Sequence, residues 1–130
     1  MDTSGFYAAA TRRDTNFPTA QRIIQRAGRT GTLLVATSYI VAEAHALFLS
    51  REGRDAGVRF LRRVEAGAVN IIKPSEADEA VAREIIYRYT DKSFSLTDAI
   101  SFAVMERLDI ATAFTFDSDF RQYGFAVAEG

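Results

Sequence analysis

The chemistry open to this chain is carboxylate chemistry. Among its 130 residues there is no cysteine and a single histidine, His45. That inventory excludes a thiol nucleophile, a cysteine-ligated zinc or iron–sulfur centre and any site built on several histidines. It also leaves a Ser-His-Asp triad poorly supplied. Seventeen acids remain, and five stand where a solvated face does not account for them. Asp2 opens a turn-like Asp-Thr-Ser-Gly ahead of a helix. Glu43 borders the apolar stripe of the segment Ser38–Phe48. Asp98 falls in the first turn of the most apolar helical segment. Asp117 and Asp119 directly follow the apolar run Ala111–Phe116. Carboxylates crowded together raise one another's pKa unless a cation neutralises them, and all-oxygen ligands suit Mg²⁺ or Mn²⁺. A bound divalent ion lowers the pKa of its water and bridges phosphate oxygens, which is the chemistry of phosphodiester hydrolysis.

Each acid also has a purely structural reading. Ser95 and Asp98 have capping-box spacing, as do Ser75 and Asp78. Asp2 and Asp117 suit turns and helix N-caps, and Glu43 suits a stripe edge reaching water. Other chemistries fit less well. Thr115–Phe120 (TFDSDF) imitates the D-x-D loop of haloacid-dehalogenase-type phosphatases, but Phe120 stands where that loop wants a small residue. A phosphoacceptor receiver domain needs a suitably placed lysine, and only Lys73 and Lys92 exist. Gly28–Gly31 (GRTG) lacks P-loop spacing and lysine. His45 reads as a helix-packing residue. Phe116, Phe120, Tyr123 and Phe125 gather near the acid loop, where core packing competes with base stacking.

The elements that must position these acids follow from apolar periodicity. Helices are expected over Phe6–Arg13, Asn16–Ala27, Ser38–Leu49, Asp55–Ala66, Ser75–Tyr89 and Ser95–Leu108. Inward stripes are Val58, Leu61 and Val64 in the fourth of these and Ala77, Val81 and Ile85 in the fifth. Strands are expected at Thr32–Ala36, Val69–Lys73, Ala111–Phe116 and Phe125–Ala128. Short apolar runs alternating with helices mean βαβ units and a parallel sheet covered on both faces. Ligands then bind beyond the carboxyl ends of the strands. Asp2 and Asp117 map to that rim, and Asp98 joins them if a strand-to-helix connection leads to its helix.

Apolar residues make up 48% and charged residues 25%, which suits one soluble domain over 1–130. No secretory signal or membrane-length apolar run is evident, so a cytoplasmic location is expected. Net charge is −1, but residues 1–63 carry ten arginines against five acids (+5) and residues 64–130 balance at −6. Arg outnumbers Lys fourteen to two, and Arg is the better bidentate phosphate binder. The arginine-rich stretches 12–29 and 51–63 are candidate RNA or partner surfaces.

The blocks DTSGFYA (2–8), SYIVAEAHALF (38–48), SLTDA (95–99) and TFDSDF (115–120) together resemble a PIN domain. In particular they resemble the single-domain toxins of bacterial and archaeal VapBC-type toxin–antitoxin systems, over essentially the whole chain. The resemblance implies a three-layer α/β/α sandwich around a mostly parallel sheet. It implies an Mg²⁺- or Mn²⁺-dependent endoribonuclease acting on RNA, a homodimer, and a cognate antitoxin that covers the site. Residue by residue it assigns the catalytic acids to Asp2, Glu43, Asp98 and Asp117, with Asp119 a further metal-ligand candidate in the same loop. Glu43 would bind a metal or its water shell and help deprotonate the attacking water. Products would carry 5′-phosphate and 3′-hydroxyl ends. Thr97, Thr3, Ser4 and Thr115 match the family's hydroxyls. Family members have a short buried strand before the first acid, whereas only Met1 precedes Asp2 here. A truncated first strand, a gap between its neighbours and a start internal to a longer chain are therefore expected. A catalytically silent PIN fold that binds nucleic acid or protein is the alternative reading.

Overall fold

Most helices begin where a side chain satisfies the first free amides. In the computed structural model, which describes residues 1–130, Asp2 caps α1 (Thr3–Ala10) and Thr37 caps α3 (Ser38–Glu52). Ser75 caps α5 (Glu76–Arg88) and Ser95 caps α6 (Leu96–Arg107), both through complete capping boxes. The helix α2 (Phe17–Thr30) instead starts with Pro18, whose missing N–H costs nothing there. The helices α4 (Arg54–Glu65) and α7 (Asp119–Tyr123) complete the set. No helix is long and apolar enough to cross a membrane.

The strands are shorter than the apolar runs that encode them. β1 (Val35–Thr37) pairs in parallel with β2 (Asn70–Ile72), and β3 (Thr112–Ala113) pairs in parallel with β4 (Ala126–Val127). These are two separate two-stranded sheets, so the expected interruption of the sheet is present. One extended dipeptide lies between them. The Met1 ammonium donates to the Val35 carbonyl at 2.8 Å, and the Asp2 amide donates to the Phe114 carbonyl at 3.1 Å. Met1 and Asp2 thus make one bond to each half-sheet. Burial of the Met1 ammonium lowers its pKa to about 6.

Beyond Met1 the space between β1 and β3 is an apolar cleft of about 530 Å³, walled by Ile23 and Ala27 of α2 and by Val104 and Met105 of α6. Its edges carry strand-pairing groups. The Ala126 and Ala128 amides donate to the carbonyls of Ala111 and Ala113, and the Asn70 amide donates to that of Leu34. Alternate carbonyls of a strand point to opposite sides, so those of Thr112 and Leu33 face the cleft. The cleft is a strand-shaped slot with apolar walls above and below.

Three apolar clusters surround this frame. Ile85, Ile100, Phe102 and Val104 centre one between α5 and α6; Phe6, Ile40, Phe48 and Phe60 hold α1, α3 and α4 together; Ala8, Ala20, Ile23 and Phe114 join α1 and α2 to β3. Phe102 stacks on Tyr123 at 4.4 Å and meets Phe120 edge-on at 5.0 Å, and Phe125 packs against the same cluster. Those aromatics are core, which leaves Phe116 as the one beside the acids.

Several sequence expectations shift. α1 starts at Thr3 rather than Phe6, because Asp2 caps it. α2 runs through Gly28 and stops at Gly31, where φ is +70°. The inner face of α4 is Ala56, Gly57 and Phe60, with the expected Val64 packed against the same cluster, while Leu61 is exposed and Val58 lies off that face. His45 explains this, because a Cβ on Gly57 would lie 3.0 Å from its Nε2, so the bare backbone of α4 seats against the imidazole. In α5 the inner residues are Asp78, Ala82 and Ile85, while Ala77 and Val81 are exposed. Asp78 is drawn in by Arg107, whose Nε and Nη2 donate to its two oxygens at 2.7 and 2.8 Å. The Arg107 guanidinium holds the Asp78 carboxyl down at about 2.

Two outcomes follow. A carboxyl held below its ordinary value contributes stability above pH 4 that fades as pH falls towards 2. Arg107→Gln is expected to destabilise the fold at pH 7, because it leaves the buried Asp78 carboxylate without its charged donor, and to flatten the acid limb in urea melts between those pH values. Fusing four apolar β-branched residues ahead of Met1 should raise Tm by roughly 5–10 °C through strand pairing and burial, whereas a Ser/Asp-rich extension of equal length leaves it unchanged.

Candidate active site

The site begins with a buried anion. Asp2 is only 6% exposed, and its carboxylate accepts three hydrogen bonds, two on Oδ1 and one on Oδ2, which leaves a lone pair on Oδ2 free. Oδ1 accepts from Ser4 Oγ at 2.7 Å and from the Gly5 amide at 3.0 Å, and Oδ2 accepts from Thr115 Oγ1 at 2.7 Å. The two hydroxyls are themselves oriented by backbone. Ser4 Oγ accepts from the Phe116 amide and Thr115 Oγ1 from the Asp117 amide, both at 2.9 Å. Asp2 thereby ties the start of α1 to the chain leaving β3. Gly5 permits the approach, because a Cβ there would lie 2.9 Å from the Phe114 carbonyl. Burial raises the Asp2 pKa, and the three hydrogen bonds oppose that rise.

Glu43 is exposed on α3, and its Oε1 accepts from Thr3 Oγ1 at 2.7 Å. Asp98 occupies the third position of α6, where its Oδ2 accepts from the Ser95 amide at 3.3 Å. Burial, then a shared hydrogen bond and like charge with Asp119, raise the Asp98 pKa to about 7. Asp117 is exposed and its Oδ1 accepts from the Asp119 amide at 3.0 Å.

Asp2, Glu43, Asp98 and Asp117 line one cleft of about 250 Å³, together with Thr3 and Ser4. Four segments far apart in sequence meet there. Asp119 is not among the residues lining this cleft, and its carboxyl shares a hydrogen bond and like charge with Asp98. Thr97 lies in a shallow neighbouring hollow with Tyr39 and Glu43, and Thr115 is a buried support for Asp2. No three acids approach closely enough to form a ready-made metal cage. The donors still fit a hard divalent cation chemically: all are carboxylate oxygens, and no lysine or arginine pairs with any of the four.

Tyr7, Asp14, Asn16 and Arg51 also line the cleft; sequence reasoning singled out only Arg51, as part of the arginine-rich stretch 51–63, and did not place it beside the acids. The signal for Arg51 was present: Glu43, Leu47 and Arg51 are four residues apart on one helix, hence on one face. Its guanidinium lies over the Tyr7 ring, 5.0 Å from the centroid.

An α/β frame with acids gathered at the carboxyl end of a parallel strand defines the class of protein. The chain belongs to the PIN domain family, whose pattern spans residues 1–126. Among curated proteins it is 29% identical over 126 residues to the 23S rRNA-specific endonuclease VapC20 of Mycobacterium tuberculosis, covering 96% of this chain and 93% of that one. It is 31% identical over 84 residues to the ribonuclease VapC26 of the same organism, covering 65% and 62%. The crystal structure of M. tuberculosis VapC20, described as a sarcin-ricin loop cleaving toxin, superposes with a TM-score of 0.90 at 26% identity over 99% of this chain and 97% of that one.

The hydrogen bonds make the electrostatics testable. Asp119→Asn removes the like charge beside Asp98, so the Asp98 titration midpoint should fall from about 7 towards the ordinary carboxylate range in carboxyl ¹³C NMR. Thr115→Val removes a donor to charged Asp2, so the Asp2 midpoint should rise further and stability should drop by roughly 1–2 kcal/mol.

Proposed function

We propose that this protein is a divalent-metal-dependent endoribonuclease acting as the toxin of a toxin–antitoxin pair. The observation that carries the reading is the single cleft onto which Asp2, Glu43, Asp98 and Asp117 converge. The ribonuclease names of VapC20 and VapC26 support the choice of RNA. Mg²⁺ or Mn²⁺, held by Asp2, Asp98 and Asp117 with Glu43 as a further ligand, would supply the Lewis acidity that activates water and stabilises charge on the phosphate. Asp119 raises the proton affinity of Asp98 through their shared hydrogen bond and like charge.

The protein's own groups do the rest. Thr115, Ser4 and the Gly5 amide hold the Asp2 carboxylate in one orientation, so no reorganisation is needed when substrate binds. Thr3 holds Glu43 at the cleft mouth, where its carboxylate can take a proton from the attacking water. The Asp98 carboxyl gives up its proton when positive charge enters the cleft. Hydrolysis would leave 5′-phosphate and 3′-hydroxyl ends. The toxin reading brings with it a cytoplasmic location, a homodimer and a cognate antitoxin that covers the cleft. The silent-module alternative rests on the truncated first strand, which leaves Asp2 anchored to the half-sheets only through the Met1–Asp2 dipeptide.

Antitoxin-free protein is expected to cut RNA with Mg²⁺ or Mn²⁺ and to stop with EDTA. Asp98→Asn should lower the rate by at least ~100-fold, the order lost when one transition-state charge contact is removed. No cleavage with either metal, together with no rise in Tm on adding Mn²⁺, would select the silent module. Proton competition sets the pH dependence. Since the Asp98 carboxyl titrates at about 7, Mn²⁺ affinity measured by calorimetry should strengthen from about pH 6 to about pH 8 and then level, with proton release on binding.

A further inference from the structure

A second cleft abuts the acid site. It has a volume of about 300 Å³ and is lined by Arg12 and Arg13 beyond α1 and by Arg59 and Arg63 of α4, with Glu52 the only acid in its wall. All four guanidinium-bearing residues are exposed. Arg59 and Arg63 are four apart and so stand side by side on one helix face. Arg54 and Arg62 of the same helix do not line the cleft. Glu52 is already engaged. It accepts from the Tyr7 hydroxyl at 2.8 Å and pairs with Arg13. Four positive charges against one committed carboxylate leave a net repulsion that an anion relieves.

The linings of the two clefts are consecutive in the chain at two places. Arg13 lines the basic cleft and Asp14 the acid cleft; Glu52 lines the basic cleft and Arg51 the acid cleft. Consecutive residues are about 3.8 Å apart at Cα, so the two clefts adjoin and a strand leaving the acids past Arg51 can continue into the basic one.

We infer that Arg12, Arg13, Arg59 and Arg63 form a phosphate-binding track for the single-stranded RNA flanking the cleaved bond. This rests on the ribonuclease reading above. The cleft offers planar forked donors, suited to phosphate oxygens, and its apolar lining, Ala10, Phe48 and Ala56, offers little exposed surface to anchor a protein chain.

The test uses the full chain. RNA binding is measured first in EDTA with a fluorescent single-stranded oligonucleotide at several salt concentrations, and cleavage is measured separately with Mn²⁺. For Arg59→Gln/Arg63→Gln, two lost phosphate contacts should weaken binding about tenfold and reduce the salt slope by about 1.4, because each single-strand contact contributes about 0.7. The kcat/KM advantage of a long RNA over a tetranucleotide should fall by a similar factor. Arg59→Lys/Arg63→Lys should keep the salt slope and lose part of the affinity. The control Arg54→Gln/Arg62→Gln removes the same charge from the same helix and should leave slope and affinity unchanged. Equal losses in both Gln pairs would reduce the effect to general charge and overturn the track. Unchanged RNA binding by Arg59→Gln/Arg63→Gln, with loss of binding to an acidic peptide, would overturn it in favour of a protein surface. If the wild type binds RNA with the expected slope but cuts none, the track stands and the ribonuclease reading falls.

Discussion

The architecture depends on a buried carboxylate at the second residue. Asp2 is desolvated, and isolated buried charge is costly unless hydrogen bonds replace the lost water. Ser4, Gly5 and Thr115 supply those bonds, and each belongs to a different structural task. The Gly5 amide is a free donor at the start of α1, so the charge that serves the site also caps the helix. Thr115 fixes the chain leaving β3 just before it delivers Asp117. The Asp2 amide, through Phe114, and the Met1 ammonium, through Val35, hold two half-sheets at strand spacing. One residue therefore couples helix start, sheet continuity and acid cleft, and a change there disturbs all three.

The order of elements, apart from the five-residue α7, was legible because it rests on apolar periodicity and on turn chemistry. The errors have a common cause, since periodicity knows nothing of partners. α4 turns Ala56, Gly57 and Phe60 inward because His45 of α3 needs a bare backbone to pack on. α5 turns Asp78 inward because Arg107, nineteen residues beyond its last turn in sequence, reaches back to it. Strand lengths were overestimated because an apolar run becomes strand only where a neighbour accepts its hydrogen bonds, and the slot beyond Met1 leaves β1 and β3 half-partnered.

The acids were legible as residue types in ordered blocks, and four of them do meet in one cleft. Their different surroundings were not. Asp117 and Asp119 are equivalent by spacing, but Asp117 lines the cleft while Asp119, at the start of α7, meets Asp98. Arg51 was readable from its helical register with Glu43 but carries no motif. The basic cleft was invisible as a unit, because Arg12 and Arg13 join Arg59 and Arg63 only once α1, α3 and α4 pack around Phe6, Phe48 and Phe60.

The two capping boxes show why local pattern alone cannot separate scaffold from site. α5 and α6 open with the same Ser-x-x-Asp arrangement, and both boxes are fully formed. The cap engages one oxygen of the carboxylate and leaves the rest to tertiary context. At Asp78 that context is a guanidinium, which keeps the acid ionised down to about pH 2 and consumes its charge within the fold. At Asp98 it is burial and a second carboxylate, which lift the pKa to about 7. The first acid already has its counter-ion. The second bears a like-charge neighbour and lacks a cationic side chain to offset it. Folding leaves that unfavourable interaction at the cleft and nowhere else among the capped helix starts. A mobile divalent cation would relieve it as Arg107 does at Asp78, and, unlike Arg107, would arrive with open positions for water and phosphate.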